Sequence, residues 1–431
     1  MVSQTNVAAT VVRYSIGIFL VFLTHFLYRG LSIRLRFYKL RARGLTVPEP
    51  YSFLFGHISL MKLLKHGLPS DAHDTYVVQK LSLEWQDYFP NATKAPPLAY
   101  LDLWPFLSQP LIVVFSPQAC SQLTQETPQP RHSLFRWSLT PLTGGNDLTS
   151  VDMATHRVWR SRLNPGFSLK NLISQMDVLL EEVAVFAEKL RNNAGDNGTW
   201  GDVFTLYDDA VSLTFDIIFR SALCWVLYEI HKNPGILGQI HTEHDQVLGS
   251  DPGQATEVLS KQPHTLNDLR YTTAVIKESL RVHALGQTHR EGSTGFNFSI
   301  EEIIYPTYDT IIQTVPAATQ SHPDLWPRVK EFLPERFLVA DGHPLYPPKN
   351  AWRTFELGST RCIGEELAMM EIKLVLVFTL RELEFEFPSA GWDEPEKSED
   401  FLDAVDGNRI YRVGNGLGYV KDNLPTRIRL K

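Results

Sequence analysis

The chain of 431 residues carries 41 lysines and arginines against 48 aspartates and glutamates, a formal net charge of −7. That balance, with no basic stripe in the body, argues against nucleic acid as a partner, and a 21% charged fraction excludes both a disordered chain and a polytopic membrane protein. The three cysteines, Cys120, Cys224 and Cys362, are scattered and cannot form a disulfide framework, which points to a reducing compartment.

The N-terminus departs from this average. Residues 7–28, VAATVVRYSIGIFLVFLTHFLY, are apolar apart from Arg13 and His25 and long enough to cross a bilayer. The next stretch, RGLSIRLRFYKLRARG, holds Arg29, Arg34, Arg36, Lys39, Arg41 and Arg43, whereas no charged side chain precedes the apolar run. The positive-inside rule then places the body in the cytosol. A cleaved signal peptide and a buried core helix are the competing readings; a signal peptide has its charge before the apolar run, the reverse of this order. The expected organisation is a membrane anchor over 1–28, a basic linker and proline hinge over 29–50, and a globular body over 51–431. In LTVPEPYSFLFGHI (45–58), Pro48 and Pro50 stiffen the chain into an extended strut that would orient the body.

Helical patterning dominates the body. NLISQMDVLLEEVAVFAEKLRN (171–192) has apolar residues at helical spacing and stops at NNAGDNG. LNDLRYTTAVIKESLRVHAL (266–285) predicts a helix capped by Asn267, and GEELAMMEIKLVLVFTLREL (364–383) a long buried one. Shorter runs predict strands at 98–104, 110–116, 310–318 and 425–430. VSLTFDIIFRSALCWVLYEI (211–230) is apolar enough for a second membrane span, but Asp216 and Arg220 would be costly in lipid, which favours a helix packed in the body. The fold class is mainly α with small β-sheets, an α+β body forming one large domain.

One short stretch carries chemistry. In FELGSTRCIG (355–364), Cys362 lies just ahead of a predicted helix, where free N–H groups and partial positive charge stabilise a thiolate. Gly358 and Gly364 allow close backbone approach, and Phe355 would cover the face of a flat ligand. A lone cysteine cannot make a tetrahedral zinc site, and no CxxC or HxxxH pattern accompanies it. It can supply one axial ligand to a metal held by a macrocycle, as in a haem with proximal thiolate. From spacing alone a buried structural cysteine is the commoner reading.

FELGSTRCIG resembles the cysteine-ligand loop of the cytochrome P-450 family, F-x-x-G-x-R-x-C-x-G, through Phe355, Gly358, Cys362 and Gly364. It departs at the family arginine, whose place holds Thr360, with Arg361 one position later. KESLR (277–281) matches E-x-x-R through Glu278 and Arg281, and PERF (334–337) supplies Arg336, which the resemblance joins to that pair as a structural lock. HRVWRSRLNPGF (156–167) is similar to the family's W-x-x-x-R helix, with His156 in the tryptophan's place and Arg160 as the arginine. Arg290 matches a further propionate-binding arginine. The resemblance covers nearly the whole chain in the style of microsomal enzymes of filamentous fungi. It implies haem b with Cys362 as axial thiolate, His156, Arg160, Arg290 and Arg361 toward the propionates, and a fold incomplete on the distal side. It also implies an apolar small-molecule substrate, a flavoprotein NADPH reductase, and a single-pass anchor in the endoplasmic reticulum membrane.

The chain is shorter than the family norm by on the order of a hundred residues. SALCWVLYEIHKNP (221–234) resembles the second half of the family's long distal helix, which should follow an A/G-G-x-D/E-T-T run. It follows TFDIIFR (214–220) instead, so a seam falls near 219–221. Ile217, Ile218 and Phe219 stand where the family's acid and threonine deliver protons; Thr214 and Asp216 lie out of register. No catalytic acid/alcohol pair is therefore identified. Three readings follow: an active monooxygenase, of secondary metabolism by the fungal resemblance; a haem-binding remnant or mis-spliced product without turnover; and a membrane-tethered interaction protein without haem, against which the cysteine loop argues.

Overall fold

A computed structural model describes residues 2–213, 217–388 and 404–431. Thr214 and Asp216 lie outside the described residues. The body is helical with four small sheets among the described residues. In the largest, Leu111–Val114 pairs antiparallel with Leu98–Leu101 and parallel with Ile311–Thr314, which in turn pairs antiparallel with Thr288–Glu291. A second sheet sets Pro425–Leu430 between Phe204–Thr205 and Leu383–Glu386. The main core gathers around four helices: Met176–Asn192, Ile217–Lys232, Arg270–Val282 and Glu365–Thr379.

The N-terminal helix runs unbroken from Val2 to Ala42. Among the described residues it is the one helix long and apolar enough to cross a membrane. The basic stretch that was expected as a linker is thus helical as far as Ala42. Its cations alternate with Ile33, Phe37 and Leu40, which pack against Leu98, Tyr100, Ile112 and Phe298. Docking of that apolar face onto the sheet holds the stretch in a helix. The strut beyond it is pinned where Tyr100 N–H donates to the Thr46 carbonyl at 2.9 Å and Glu49 N–H to that of Tyr88 at 2.7 Å.

Several element boundaries differ from the sequence reading. The helix expected over 171–192 is two, Leu169–Ser174 and Met176–Asn192; the first ends where Ser174 returns its hydroxyl to the Asn171 carbonyl at 2.7 Å. Asn267 does not cap the helix that begins at Arg270, because Pro263–Asn267 forms a separate 3-10 turn. The cap comes from Glu243 on Pro234–Leu248, whose carboxylate accepts the N–H groups of Tyr271 and Thr272 at 2.5 and 2.8 Å. The strand expected over 310–318 stops at Thr314, since Pro316 opens the helix Pro316–Gln320. The helix Ile217–Lys232 lies inside the body: Phe219, Ala222 to Tyr228 and Ile230 are all buried in the main core. Protein, not lipid, surrounds this run.

Candidate functional site: the cysteine loop and its cationic rim

Cys362 sits three residues before Glu365–Thr379, whose N-cap is Gly364. The loop is folded by its own backbone: Cys362 N–H donates to the Phe355 carbonyl at 2.8 Å and Arg361 N–H to that of Gly358 at 3.1 Å. Gly358 has φ +89°, and a Cβ there would stand 2.1 Å from the Thr124 carbonyl oxygen. Only glycine fits both the backbone angle and the contact. Phe355 is half-buried, its ring centroid 5.9 Å from that of Trp352. The Cys362 side chain is exposed, while Cys120 and Cys224 are buried and burial pushes both thiols up. Of the three, Cys362 alone is accessible to a ligand.

Behind the loop, Glu278 is held by two arginines. Arg281 donates Nε and Nη2 to the two carboxylate oxygens at 2.8 and 2.9 Å, and Arg336 Nε reaches Oε1 at 3.3 Å. All three are buried. The pair Glu278–Arg281 shares a helix face at i, i+3. Arg336 also donates to the carbonyls of Pro327 and Arg328, and Arg281 to those of Gln320 and Val329. Thr354, in the cysteine loop, donates to the Leu280 carbonyl at 3.0 Å, which ties the loop to this network.

On the other side, positive charge converges without enough counter-charge. His156 and Arg160 lie on the helix Met153–Leu163, capped by Asp152. Arg290 lies on the central sheet and is 1% exposed; His156 is 3% exposed. Burial pushes His156 down to about 4, helped by Arg131, Arg160 and Arg290. Burial also lowers Arg131 to about 10, with Arg290 next among the causes and Asp147 opposing. Burial lowers Arg160, with Cys362 opposing, and its Nη1 donates to the Arg361 carbonyl at 2.5 Å. Arg290 donates to the Gln129 carbonyl at 3.1 Å and to the Thr360 hydroxyl at 2.5 Å. His156 Nε2 and Arg290 Nε are buried with no hydrogen-bond partner among the described residues. Buried donors and clustered cations left in this state call for an anion. The carboxylates of a haem, presented beside a cysteine that faces outward, fit that demand.

His156, Arg160, Arg290 and Cys362 are thus brought together, with Phe355, Gly358 and Gly364 shaping the loop. Arg361 adjoins Arg160, whose pKa it helps to lower, but its own side chain pairs with Glu365 at 2.5 Å, and that bond raises its pKa. Two residues escaped the sequence reading. Arg131 lies in an irregular loop whose only signal was its charge; it bridges Arg290 across the backbone and donates Nη1 to the Leu148 carbonyl at 2.6 Å. Arg353, two residues before Phe355, is buried, paired with Glu356 and donating to the Thr124 hydroxyl at 2.8 Å.

A family model, cytochrome P-450, matches residues 219–408. The chain is 26% identical over 530 residues to cytochrome P-450 monooxygenase polC of Polytolypa hystricis, an alignment covering 94% of this chain and 92% of that protein. It is 35% identical over 207 residues to cytochrome P-450 monooxygenase PC-23 of Penicillium crustosum, covering 46% of this chain and 95% of the relative. With cytochrome P-450 monooxygenase ptmG of Penicillium ochrochloron the figures are 32% over 209 residues, 48% and 37%. The alignment with polC is longer than this chain of 431 residues, so on the order of a hundred of its positions face gaps here.

Proposed function

The chain belongs to the cytochrome P-450 family of oxidoreductases, and from that premise we propose that it binds haem b through Cys362 and is built for oxygen insertion into an apolar small molecule. Electrons would come from NADPH through a membrane-bound flavoprotein reductase, at the endoplasmic reticulum membrane with the body in the cytosol. The relatives are monooxygenases of fungi, and a role in secondary metabolism is part of this proposal. Haem would supply the redox chemistry when bound; the chain supplies position and charge. Cys362 would supply the thiolate ligand, with the start of Glu365–Thr379 stabilising its negative charge. Arg131, His156, Arg160 and Arg290 take the propionates. Glu278, Arg281 and Arg336 keep the loop in place from behind.

The observation that carries this reading is the pairing of an exposed cysteine with a cluster of arginines and two buried nitrogens without a partner, His156 Nε2 and Arg290 Nε. A second reading, haem binding without turnover, is favoured by the register of the seam: the family match begins at Phe219, where the predicted junction falls. It ascribes the gap to a lost or unread segment that would roof the substrate pocket.

The test has two stages. Reduced full-length protein with carbon monoxide gives the absorption band of thiolate-ligated haem, and Cys362→Ser abolishes it; unchanged absorption in that variant overturns the assignment. Reductase, NADPH and labelled dioxygen then separate the readings: label in an organic product supports turnover, while haem without product supports the remnant. Sequencing the transcript across the codons for Phe219 to Ser221 shows whether a segment is missing from the chain as written.

A further inference from the structure

A cavity of about 570 Å³ opens where the C-terminal ends of Ile217–Lys232 and Arg270–Val282 meet the helix Thr75–Leu83 and the hairpin that pairs Arg412–Val413 with Tyr419–Val420. None of the residues placed toward haem, Cys362, Arg131, His156, Arg160 and Arg290, lines it. Leu83, Tyr228, Phe332 and Ile410 give it apolar walls, and its volume suits a small molecule.

Its charges do not balance. Arg412 lines the cavity and is 4% exposed. Its Nη1 reaches the Thr75 hydroxyl at 3.4 Å, and its Nε is buried without a partner among the described residues. Burial lowers its pKa, opposed by Tyr76 and by no carboxylate. The groups around it are neutral. His73 Nδ1 accepts the N–H and the hydroxyl of Thr75 at 3.1 and 2.9 Å, while Nε2 donates to the Gly416 carbonyl at 3.1 Å. Burial, then Arg412, pushes His73 down to about 4. The Tyr76 hydroxyl accepts the Arg412 backbone N–H at 3.0 Å, and burial raises its pKa. The carboxylate on the wall, Glu229, is taken by His283 at 2.7 Å, whose ring is fixed by stacking 3.8 Å from that of Trp225.

Two more cations stand at the mouth. Lys330 is exposed and makes no ion pair among the described residues. Lys232 donates to the Asn408 side-chain oxygen at 2.7 Å and lies over the Tyr228 ring. Arg281, also on the wall, is matched by Glu278. Against Arg412, Lys330 and Lys232 there remains one exposed carboxylate, Asp406. A buried guanidinium with unfilled donors and no counter-charge favours an anion, and its planar fork suits the oxygens of a carboxylate or phosphate.

We propose that this cavity is a binding site for a small oxyanion, the carboxylate or phosphate held by Arg412 with Lys330 and Lys232 at the mouth. An organic body attached to it rests on Leu83, Tyr228 and Phe332. The proposal is independent of haem and of the membrane span.

The test is equilibrium dialysis of the detergent-solubilised full chain against radiolabelled benzoate at low salt, where charge effects are least screened. Saturable uptake of one benzoate per chain, weakened about 10- to 100-fold in Arg412→Met, supports the proposal. Lys330→Glu reverses a charge at an exposed position and lowers affinity about three- to tenfold; it decides the matter if Arg412→Met does not fold. Unlabelled inorganic phosphate then distinguishes the sources. Displacement of benzoate at equal concentration assigns the site to the bare oxyanion, and retention of benzoate assigns it to an organic acid; both support an oxyanion site. No saturable uptake, or an affinity unchanged in Lys330→Glu and Arg412→Met, overturns the proposal. Loss of uptake in Arg131→Gln but not in Arg412→Met places the anion at the cationic rim beside Cys362 and overturns it as well.

Discussion

At the scale of single residues, the cationic rim makes two predictions of opposite sign for bound and free protein. Arg131 is a half-buried cation that feels Arg290 and Arg160. In the haem-free chain Asp147 offsets that repulsion only in part, so Arg131→Gln raises the urea midpoint. In the haem-bound chain the same change removes a charge-assisted hydrogen bond, which lowers haem affinity by about 10- to 100-fold. Titration of the Soret band and urea unfolding of the apoprotein measure the two effects; a midpoint that falls along with affinity counts against the cluster as described. His156 supplies the pH dependence. Its folded pKa is about 4, below the ordinary value near 6.5, so the unfolded chain binds the proton first. Its contribution to apoprotein stability is present in full above about pH 6.5 and is lost as pH falls toward 4. His156→Trp, a change to the residue type that the family pattern favours there, loses less stability between pH 7 and pH 5 than the parent. Because His57 and His289 are also held low by burial, the comparison between variant and parent isolates the share of His156.

At the scale of elements, the cysteine loop depends on one glycine. Gly358→Ala forces a side chain into the Thr124 carbonyl and a left-handed angle on alanine, a cost of about 2–4 kcal/mol. The expected result is a lower urea midpoint with a weakened thiolate-haem band, whereas Gly342→Ala, where a Cβ meets nothing within 4 Å, leaves the band intact. What was legible in the sequence follows from range. The loop, the i, i+3 pair Glu278–Arg281 and the strand Pro425–Leu430 are specified by neighbours along the chain. The cap on Arg270–Val282 was not, because Glu243 reaches it from another helix. Nor was the helical state of the basic stretch, since the surface that docks Phe37 and Leu40 is built from strands far along the chain. Arg131 and Arg353 were missed for the same reason: their partners, Leu148, Arg290 and Thr124, are distant or irregular in sequence. The displaced arginine shows the limit of motif matching. Thr360 stands in the family position and accepts Arg290, while Arg361 turns out to Glu365.

At the scale of the whole molecule, surface and length bear on one another. Trp137 is 78% and Leu142 86% exposed on the helix Ser133–Thr143, with Val158, Trp159 and Leu163 exposed on Met153–Leu163, the helix that carries His156 and Arg160. Large apolar side chains beside a cofactor site normally lie under further structure. The relative polC aligns over more positions than this chain has, and the family match starts at Phe219. These observations support an absent internal segment that would cover this face. Phe219, Ala222 to Tyr228 and Ile230 of the helix Ile217–Lys232 are buried in the main core, so a chain joined at this point still closes its main hydrophobic cluster. Core and roof then have separable stabilities. The expected behaviour is a chain that folds and holds haem but self-associates through the uncovered face. Trp137→Lys with Leu142→Glu should reduce light scattering and dye binding of the detergent-solubilised protein while leaving the reduced carbon-monoxide band in place. Inserting the segment recovered from the transcript should give the same drop in scattering and add turnover. If the double variant scatters as strongly as the parent, association arises elsewhere, and the face is not one that a roof would have covered.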